Sequence, residues 1–182
     1  MSKRILVLAG SPRIKGNTDI LSDEFIRGAK EMGNDTEKIY LAQKKIYPCI
    51  GCYKCRSTSE HTCVFKEKDD FEEIIQKVIT ADVLVLASPV YFYSLTAQMK
   101  VALDRFFARE NEIKNKKAYF ITASAAPDEK YLQVAIETFR GFISCFENVT
   151  ESGMVLGMGT TEKGDVKELP VMQQAYELGK TV

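Results

Sequence analysis

The first loop of this chain reads Gly10-Ser11-Pro12-Arg13-Ile14-Lys15-Gly16-Asn17-Thr18 and joins a short apolar run to a pattern with helical spacing. The apolar run, residues 5–9, has the character of a buried strand. The first N–H groups of a helix lack partners, and the helix dipole favours an anion there. We therefore expect a phosphate site made by Ser11, Arg13, Gly16, Asn17 and Thr18, with Asn17 or Thr18 also suited to the helix N-cap.

This loop departs from the common nucleotide signatures. No Gly-Lys-Ser/Thr follows Gly16, which excludes a Walker A loop, and the stretch contains no G-x-G-x-x-G. The alternative to a phosphate site is a plain strand-to-helix turn. The rest of the chain favours the phosphate site.

Length and charge describe an ordinary globular protein of 182 residues, which we expect to form a single domain over 1–182. Lysine plus arginine and aspartate plus glutamate each number 25, so nothing in the net charge indicates nucleic acid or an anionic membrane. The apolar run after Met1-Ser2-Lys3-Arg4 is too short for a signal peptide. No other run approaches membrane-spanning length, so we expect a cytoplasmic protein.

Strand and helix patterns alternate five times along the chain. Strands are predicted near 3–9, 37–41, 83–87, 117–123 and 149–156, and helices near 18–32, 69–79, 95–106, 128–146 and 171–178. Glycines at 157, 159 and 164 indicate a flexible connection before the last helix. This alternation with buried strands predicts an α/β fold, a parallel sheet with helices on both faces.

Three loops, at 10–18, 88–94 and 122–127, follow the carboxyl ends of predicted strands. In such sheets ligands bind beyond those ends, so the loops should converge on one pocket. The second loop carries Tyr91, Phe92 and Tyr93, and three consecutive aromatic residues cannot all face one core. A pocket that binds a phosphate at one end and a planar ring at the other suits a phosphorylated heteroaromatic ligand such as FMN. The alternative is that these aromatic side chains pack in the core or at an interface.

Motifs across nearly the whole chain resemble the flavodoxin-like NAD(P)H-dependent FMN reductases, and most closely the iron-sulfur flavoproteins among them. The motifs, in the family's order, are Gly10-Ser11-Pro12-Arg13, Gly16-Asn17-Thr18, Pro48-Cys49-Ile50-Gly51-Cys52, Ser88-Pro89-Val90-Tyr91-Phe92, Thr96-Ala97-Gln98-Met99-Lys100 and Asp104-Arg105.

The resemblance implies a flavodoxin-like three-layer sandwich with strand order 2-1-3-4-5 and bound FMN. It puts the phosphate on the first loop and the flavin ring on Pro89, Val90, Tyr91 and Phe92. Ser94 and the segment Thr122-Ala123-Ser124 would lie at the ring and ribityl edge. Tyr93 departs from the family, where many relatives carry glycine, so it would reshape the ring site. Many relatives are dimers or tetramers, and we expect a homodimer or homotetramer.

Four of the five cysteines lie in a long loop at 43–67, with the spacing Cys49-x2-Cys52-x2-Cys55-x7-Cys63. The spacing can surround one cluster and matches the iron-sulfur flavoproteins, which implies a [4Fe–4S] cluster. Zinc with His61 as an alternate ligand is a rival, and so is a loop without metal in which cysteine packs as a small apolar residue. Cys145, on a predicted helix, should lie in the core.

The sequence therefore predicts an FMN-dependent oxidoreductase in which no side chain acts as acid or base. Its electron donor would be NAD(P)H or a ferredoxin-like protein. Its acceptor would be a small molecule or protein such as a quinone, a flavin or a ferredoxin. The alternative is a flavodoxin-type electron carrier without turnover. Such carriers tend to be strongly acidic, and the balanced charge here disfavours that alternative.

Overall fold

The computed structural model describes residues 2–57 and 61–182. Within these ranges the strands are β1 (Arg4–Ala9), β2 (Asp35–Tyr40), β3 (Val83–Ala87), β4 (Lys114–Ala123) and β5 (Glu147–Gly157). They pair in parallel in the order β2-β1-β3-β4-β5. The predicted flavodoxin-like order is confirmed, and it puts a topological switch point between β1 and β3.

Six α-helices lie in the described ranges. They are α1 (Asn17–Glu31), α2 (Lys54–Ser57), α3 (Phe71–Thr80), α4 (Ala97–Arg105), α5 (Gln133–Ile143) and α6 (Val171–Lys180). Short 3-10 segments lie at Leu41–Gln43, Phe106–Glu112, Glu129–Tyr131 and Asp165–Glu168. Among these described helices, none combines the length and apolar character needed to cross a bilayer.

Alternation along the strands builds two separate cores, one on each face of the sheet. In β1, Leu6 and Leu8 face the side covered by α3, α4 and α5, whereas Ile5 and Val7 face α1 and α6. The same alternation runs through β3, where all five residues are buried. A strand covered on both faces needs apolar residues at every position, which explains the unbroken apolar runs in the sequence.

The predicted helix over 128–146 is wrong at both ends. Asp128 accepts a hydrogen bond from the backbone N–H of Lys130 and starts a 3-10 turn, so α5 begins only at Gln133. After Ile143 the chain leaves the helix, and Cys145 is exposed. The prediction that Cys145 is a core residue is therefore wrong. Its thiol donates to the carbonyl of Gly141 at 3.4 Å.

Candidate functional site

The three predicted loops meet at the carboxyl edge of the sheet, because hydrogen bonds of the sheet type continue past the strand ends. The N–H of Gly10 donates to Ala87 O at 2.8 Å, and that of Ser88 donates to Ile121 O at 2.9 Å. The N–H of Ser124 donates to Gly157 O, also at 2.8 Å. Each loop is thus tied to the next strand, which fixes their mutual positions.

A cavity of about 290 Å³ lies between these loops. Ten of the predicted cofactor residues line it: Ser11, Arg13, Gly16, Asn17, Thr18, Pro89, Val90, Tyr91, Ala123 and Ser124. Four others do not: Phe92, Tyr93, Ser94 and Thr122. The sequence reasoning missed three lining residues, Ala125, Thr160 and Thr161.

The first loop is folded by its own side chains. Ser11 Oγ accepts from the N–H of Arg13 at 3.1 Å, and the N–H of Gly16 donates to Arg13 O at 3.1 Å. Within that turn Lys15 has φ 58°, a left-handed conformation that side-chain-bearing residues seldom adopt. A Cβ at Gly16 would come within 3.0 Å of Arg13 Cβ and O, so the closeness of the turn requires glycine there.

The N-terminus of α1 opens onto this cavity without a side-chain cap. The N-cap is Gly16, which corrects the prediction that Asn17 or Thr18 caps the helix. In the described part of the chain, the backbone N–H groups of Asn17 and Thr18 have no protein acceptor. The Oγ1 of Thr18 is buried and likewise has no hydrogen-bond partner among the described residues. These orphaned donors beside a cavity fit an anion such as phosphate.

A fourth loop, residues 158–164, completes the cavity. Arg13 Nη1 donates to Thr161 O at 3.1 Å, and Asn17 Nδ2 donates to Glu162 O at 2.8 Å. Asp165 accepts from the N–H groups of Thr161 and Glu162. This ordered segment corrects the prediction of a flexible connection. The adjacent hydroxyls Thr160-Thr161 after a strand were the one available sequence signal.

The aromatic part of the second loop is a tight turn that projects into solvent. Tyr91 and Ser94 exchange backbone hydrogen bonds of 2.9 and 3.1 Å. The two central residues have positive φ, 48° at Phe92 and 65° at Tyr93. Both residues at the centre of a type I′ turn need such values, which glycine adopts at little cost. Glycine would therefore adopt the backbone conformation of Tyr93 at lower cost than tyrosine does. The Phe92 side chain is fully exposed.

A second and larger cavity, of about 480 Å³, lies at the cysteine loop. All five cysteines line it, together with aromatic side chains of the 3-10 segment after α4 and of the chain around the end of α5. Residues 58–60 of this loop lie outside the described ranges. This second cavity lies near the C-terminal end of α4. At the other end of that helix, the N-cap residue Thr96 donates a hydrogen bond through Oγ1 to Gly10 O, beside the first cavity.

The cysteine thiols are free, and four predicted metal ligands share one cavity. The donor set therefore has the chemistry that a cluster needs. Within the described residues no three of the Cys, His, Asp and Glu side chains are arranged to hold one metal ion. Burial raises the pKa of the Cys55 thiol, and the neighbouring Cys63 raises it further.

Arg56 on α2 fastens the cysteine loop to the body of the protein. Its guanidinium stacks 4.1 Å from the centroid of the Phe107 ring and pairs with the Glu110 carboxylate. The Tyr53 ring meets the edge of the same Phe107 ring at 5.8 Å. These contacts hold Cys52 and Cys55 against the cavity.

Comparison with known proteins agrees with this architecture. The NADPH-dependent FMN reductase family matches residues 3–144. An iron-sulfur flavoprotein of Methanocaldococcus jannaschii is 40% identical over 102 residues, which cover 56% of this chain and 51% of that protein. An iron-sulfur flavoprotein of Methanosarcina thermophila is 34% identical over 116 residues, covering 62% and 59%.

Among solved structures, an NAD(P)H:quinone oxidoreductase from Methanothermobacter marburgensis superposes with a TM-score of 0.77 at 19% identity. The match covers 100% of this chain and 97% of that one, and it shows a shared fold. The chain spans about half the length of the two iron-sulfur flavoproteins named above. Since the family match covers most of the sequence and the sheet has the expected order, the chain belongs to the NADPH-dependent FMN reductase family.

Proposed function

We propose that this protein is an FMN-dependent oxidoreductase that takes electrons from NAD(P)H and passes them to an acceptor such as a quinone or a flavin. The observation that carries the proposal is the uncapped N-terminus of α1, which opens onto a cavity at the switch point of the sheet. The buried hydroxyl of Thr18 lies there and has no partner within residues 2–57 and 61–182. Family membership supports a nicotinamide donor.

The phosphate of FMN would bind the first loop. Ser11, Asn17 and Thr18 supply hydroxyl, amide and backbone N–H donors there, and Arg13 supplies a positive charge at the rim. The flavin ring would lie toward Pro89, Val90 and Tyr91, which line the same cavity. The small residues Ala123, Ser124 and Ala125 leave room for a flat group. Phe92, Tyr93, Ser94 and Thr122 remain proposed neighbours of the ring or the ribityl chain although they do not line the cavity.

When bound, FMN supplies the redox chemistry, accepting two electrons and releasing them singly or as a pair. The chain's own part is to bind, orient and shield. The rigid loops, each bonded to the next strand, would fix the ligand's position. The N–H groups of Ser88, Val90, Tyr91 and Ser124 already donate to backbone carbonyls. The N–H of Ala125 donates to no acceptor among the described residues, so it is available to stabilise negative charge at the ring. Among the described residues, the lining holds no carboxylate, histidine or lysine, and we propose that no side chain acts as a general acid or base.

Steady-state oxidation of NAD(P)H by the FMN-loaded protein, with a quinone as acceptor, tests this function. We expect a rate well above that of the same concentration of free FMN. A rate equal to that of free FMN would overturn the enzyme assignment and favour the flavodoxin-type carrier. NADH and NADPH, compared at equal concentration, identify the donor, and a ferredoxin-like protein serves as the alternative donor.

We further propose a [4Fe–4S] cluster on Cys49, Cys52, Cys55 and Cys63, because all four line one cavity. Such a cluster would connect the protein to a one-electron partner such as a ferredoxin. Protein purified without oxygen should contain about four irons and four sulfides per chain. Cys52→Ser should lose them, whereas Cys145→Ser, at the same cavity but outside the set, should keep them. Oxygen-free protein without iron overturns the proposal, and stoichiometric zinc would favour the site with His61.

We also propose a homodimer or homotetramer. The support is the exposed aromatic turn at residues 91–94, because apolar rings in water favour burial by another surface. Sedimentation equilibrium gives the mass directly. A monomer at micromolar concentration would contradict this proposal. The expected cytoplasmic location stays a prediction.

A further inference from the structure

The buried carboxylate of Asp19 lies in the first turn of α1, beside the proposed phosphate site and outside its lining. Its Oδ2 accepts from the backbone N–H of Lys15 at 2.7 Å, and its Oδ1 accepts from Lys38 Nζ at 2.6 Å. Tyr40 Oη lies 3.5 Å from Oδ2. The Asp19 side chain is 2% exposed and that of Lys38 is 10% exposed. A buried ion pair of this kind is costly to break but contributes little net stability. Stability alone therefore does not explain why the pair lies at this position.

The bond to Lys15 shapes the first loop. Lys15 has φ 58° at the third position of the turn that Gly16 closes onto Arg13, a place that favours glycine or asparagine. Asp19 is the third residue of the helix, and its carboxylate accepts the hydrogen bond from the Lys15 N–H. In a capping box, too, the side chain of the third helical residue reaches back to a backbone N–H at the start of the helix. The Asp19 carboxylate thereby fixes the residue immediately before the N-cap, and with it the direction of the N–H groups that face the cavity.

The same carboxylate carries a negative charge to the end of the helix that must receive a phosphate. Lys38 on β2 compensates this charge. Burial by itself lowers the pKa of Lys38, but the hydrogen bonds to Asp19 and Asp23 outweigh it and raise that pKa above its ordinary value. Lys38 is therefore charged at every physiological pH. Asp23, the second partner, is 59% exposed and its charge is largely screened by water.

We propose that Asp19 and Lys38 are positioning residues for the FMN phosphate: Asp19 holds the turn through the N–H of Lys15, and Lys38 cancels the Asp19 charge so that the helix N-terminus stays attractive to the anion. This inference rests on the proposed function, since it assumes that the phosphate binds this loop. It assigns a role in cofactor selection to two residues that do not line the cavity.

Riboflavin provides the test, because it carries the ring and ribityl chain of FMN without the phosphate. The quantity to measure is the ratio of FMN to riboflavin affinity in fluorescence titrations of the apoprotein. In Lys38→Met the uncompensated Asp19 charge should lower that ratio about tenfold, with riboflavin affinity unchanged. Lys38→Arg, and the double variant Asp19→Asn/Lys38→Met, should restore the ratio, because each removes the charge imbalance.

Equal losses of FMN and riboflavin affinity in Lys38→Met, or no rescue by the double variant, would overturn the inference and leave a purely structural pair. If the Lys38→Met protein does not fold, the single variant Asp19→Asn still tests the proposal. The asparagine keeps an oxygen that can accept from the Lys15 N–H. The positive charge of Lys38 is then no longer cancelled by Asp19, so the ratio of FMN to riboflavin affinity should rise. An unchanged or lower ratio contradicts the proposal. If wild-type protein binds FMN and riboflavin equally, the phosphate assignment itself fails instead.

Discussion

Arg105 and Asp69 form a fully enclosed ion pair, with Nη1 and Oδ2 2.6 Å apart and side chains 1% and 0% exposed. Arg105 Nη1 also donates to Tyr47 O at 2.7 Å, and Asp69 accepts from the N–H of Tyr47 at 2.9 Å. The pair thus fastens both ends of the cysteine loop to the end of α4. Within the Asp104-Arg105 motif, Arg105 therefore has a structural role.

Asp69→Asn should destabilise the protein by about 3–5 kcal/mol, because it leaves the Arg105 charge buried without its carboxylate. Urea denaturation measures the change. The matched control is Asp104→Asn, at the residue before Arg105 on α4. It breaks the exposed ion pair between Asp104 and Lys100 and should lower the stability by less than about 1 kcal/mol. Equal effects of the two substitutions would contradict the structural role of Arg105 and Asp69.

Acid should remove the stability that Asp69 provides. Burial alone raises the pKa of this carboxyl, but the hydrogen bonds from Arg105 and from two backbone N–H groups outweigh burial and hold the pKa below its usual value. A lowered folded-state pKa means that the contribution is complete above the unfolded value of about 4 and disappears as pH falls through the folded value. The stability gap between wild type and Asp69→Asn should therefore narrow below about pH 4. A gap that stays constant down to pH 2 would show that Asp69 is not the group responsible.

Thr18→Val should change stability and cofactor affinity in opposite directions. The valine removes a buried hydroxyl that has no partner among the described residues, so the free energy of unfolding should rise by about 1 kcal/mol. FMN affinity should fall about tenfold, since the proposed phosphate contact is lost. Thr18→Ser keeps the hydroxyl and is the control for both measurements. Undiminished FMN binding by the valine variant would remove Thr18 from the phosphate site.

The double substitution of Ser11 and Arg13 by alanine should lower FMN affinity at least tenfold, because charge-assisted contacts contribute about 1.5–3 kcal/mol each. Isothermal titration with FMN measures the change. Arg140→Ala, which removes a guanidinium paired with Glu151 on the exposed side of α5, controls for a general loss of positive charge. If the double variant binds FMN as the wild type does, the phosphate lies elsewhere.

Phe92→Gly should stabilise the protein by about 1 kcal/mol relative to Phe92→Ala. Both substitutions remove the same exposed ring, but only glycine adopts φ 48° without a steric cost. Thermal unfolding of the two variants isolates the strain. Equal stability would mean that the backbone at this position relaxes without cost.

The sequence predicted the elements that local pattern controls. The unbroken apolar run of β3 and the glycine- and hydroxyl-rich first loop gave the sheet, the loop positions and most of the cavity lining. The prediction was wrong at Cys145 and at the start of α5, where the local bond from Lys130 to Asp128 competes with helix formation. It missed Thr160 and Thr161, because nothing local shows that the segment after β5 reaches back to Arg13.

Hydrophobic periodicity and turn residues act between near neighbours in the chain, so they sufficed for the order of strands and helices and for the anion-binding character of the first loop. The pairings that complete the site join residues far apart in sequence. Lys38 reaches Asp19 because β2 pairs beside β1, and Arg105 reaches Asp69 because α4 and the cysteine loop pack on one face of the sheet. Such contacts depend on which strands become neighbours and which helix faces meet, and only the assembled tertiary structure decides that.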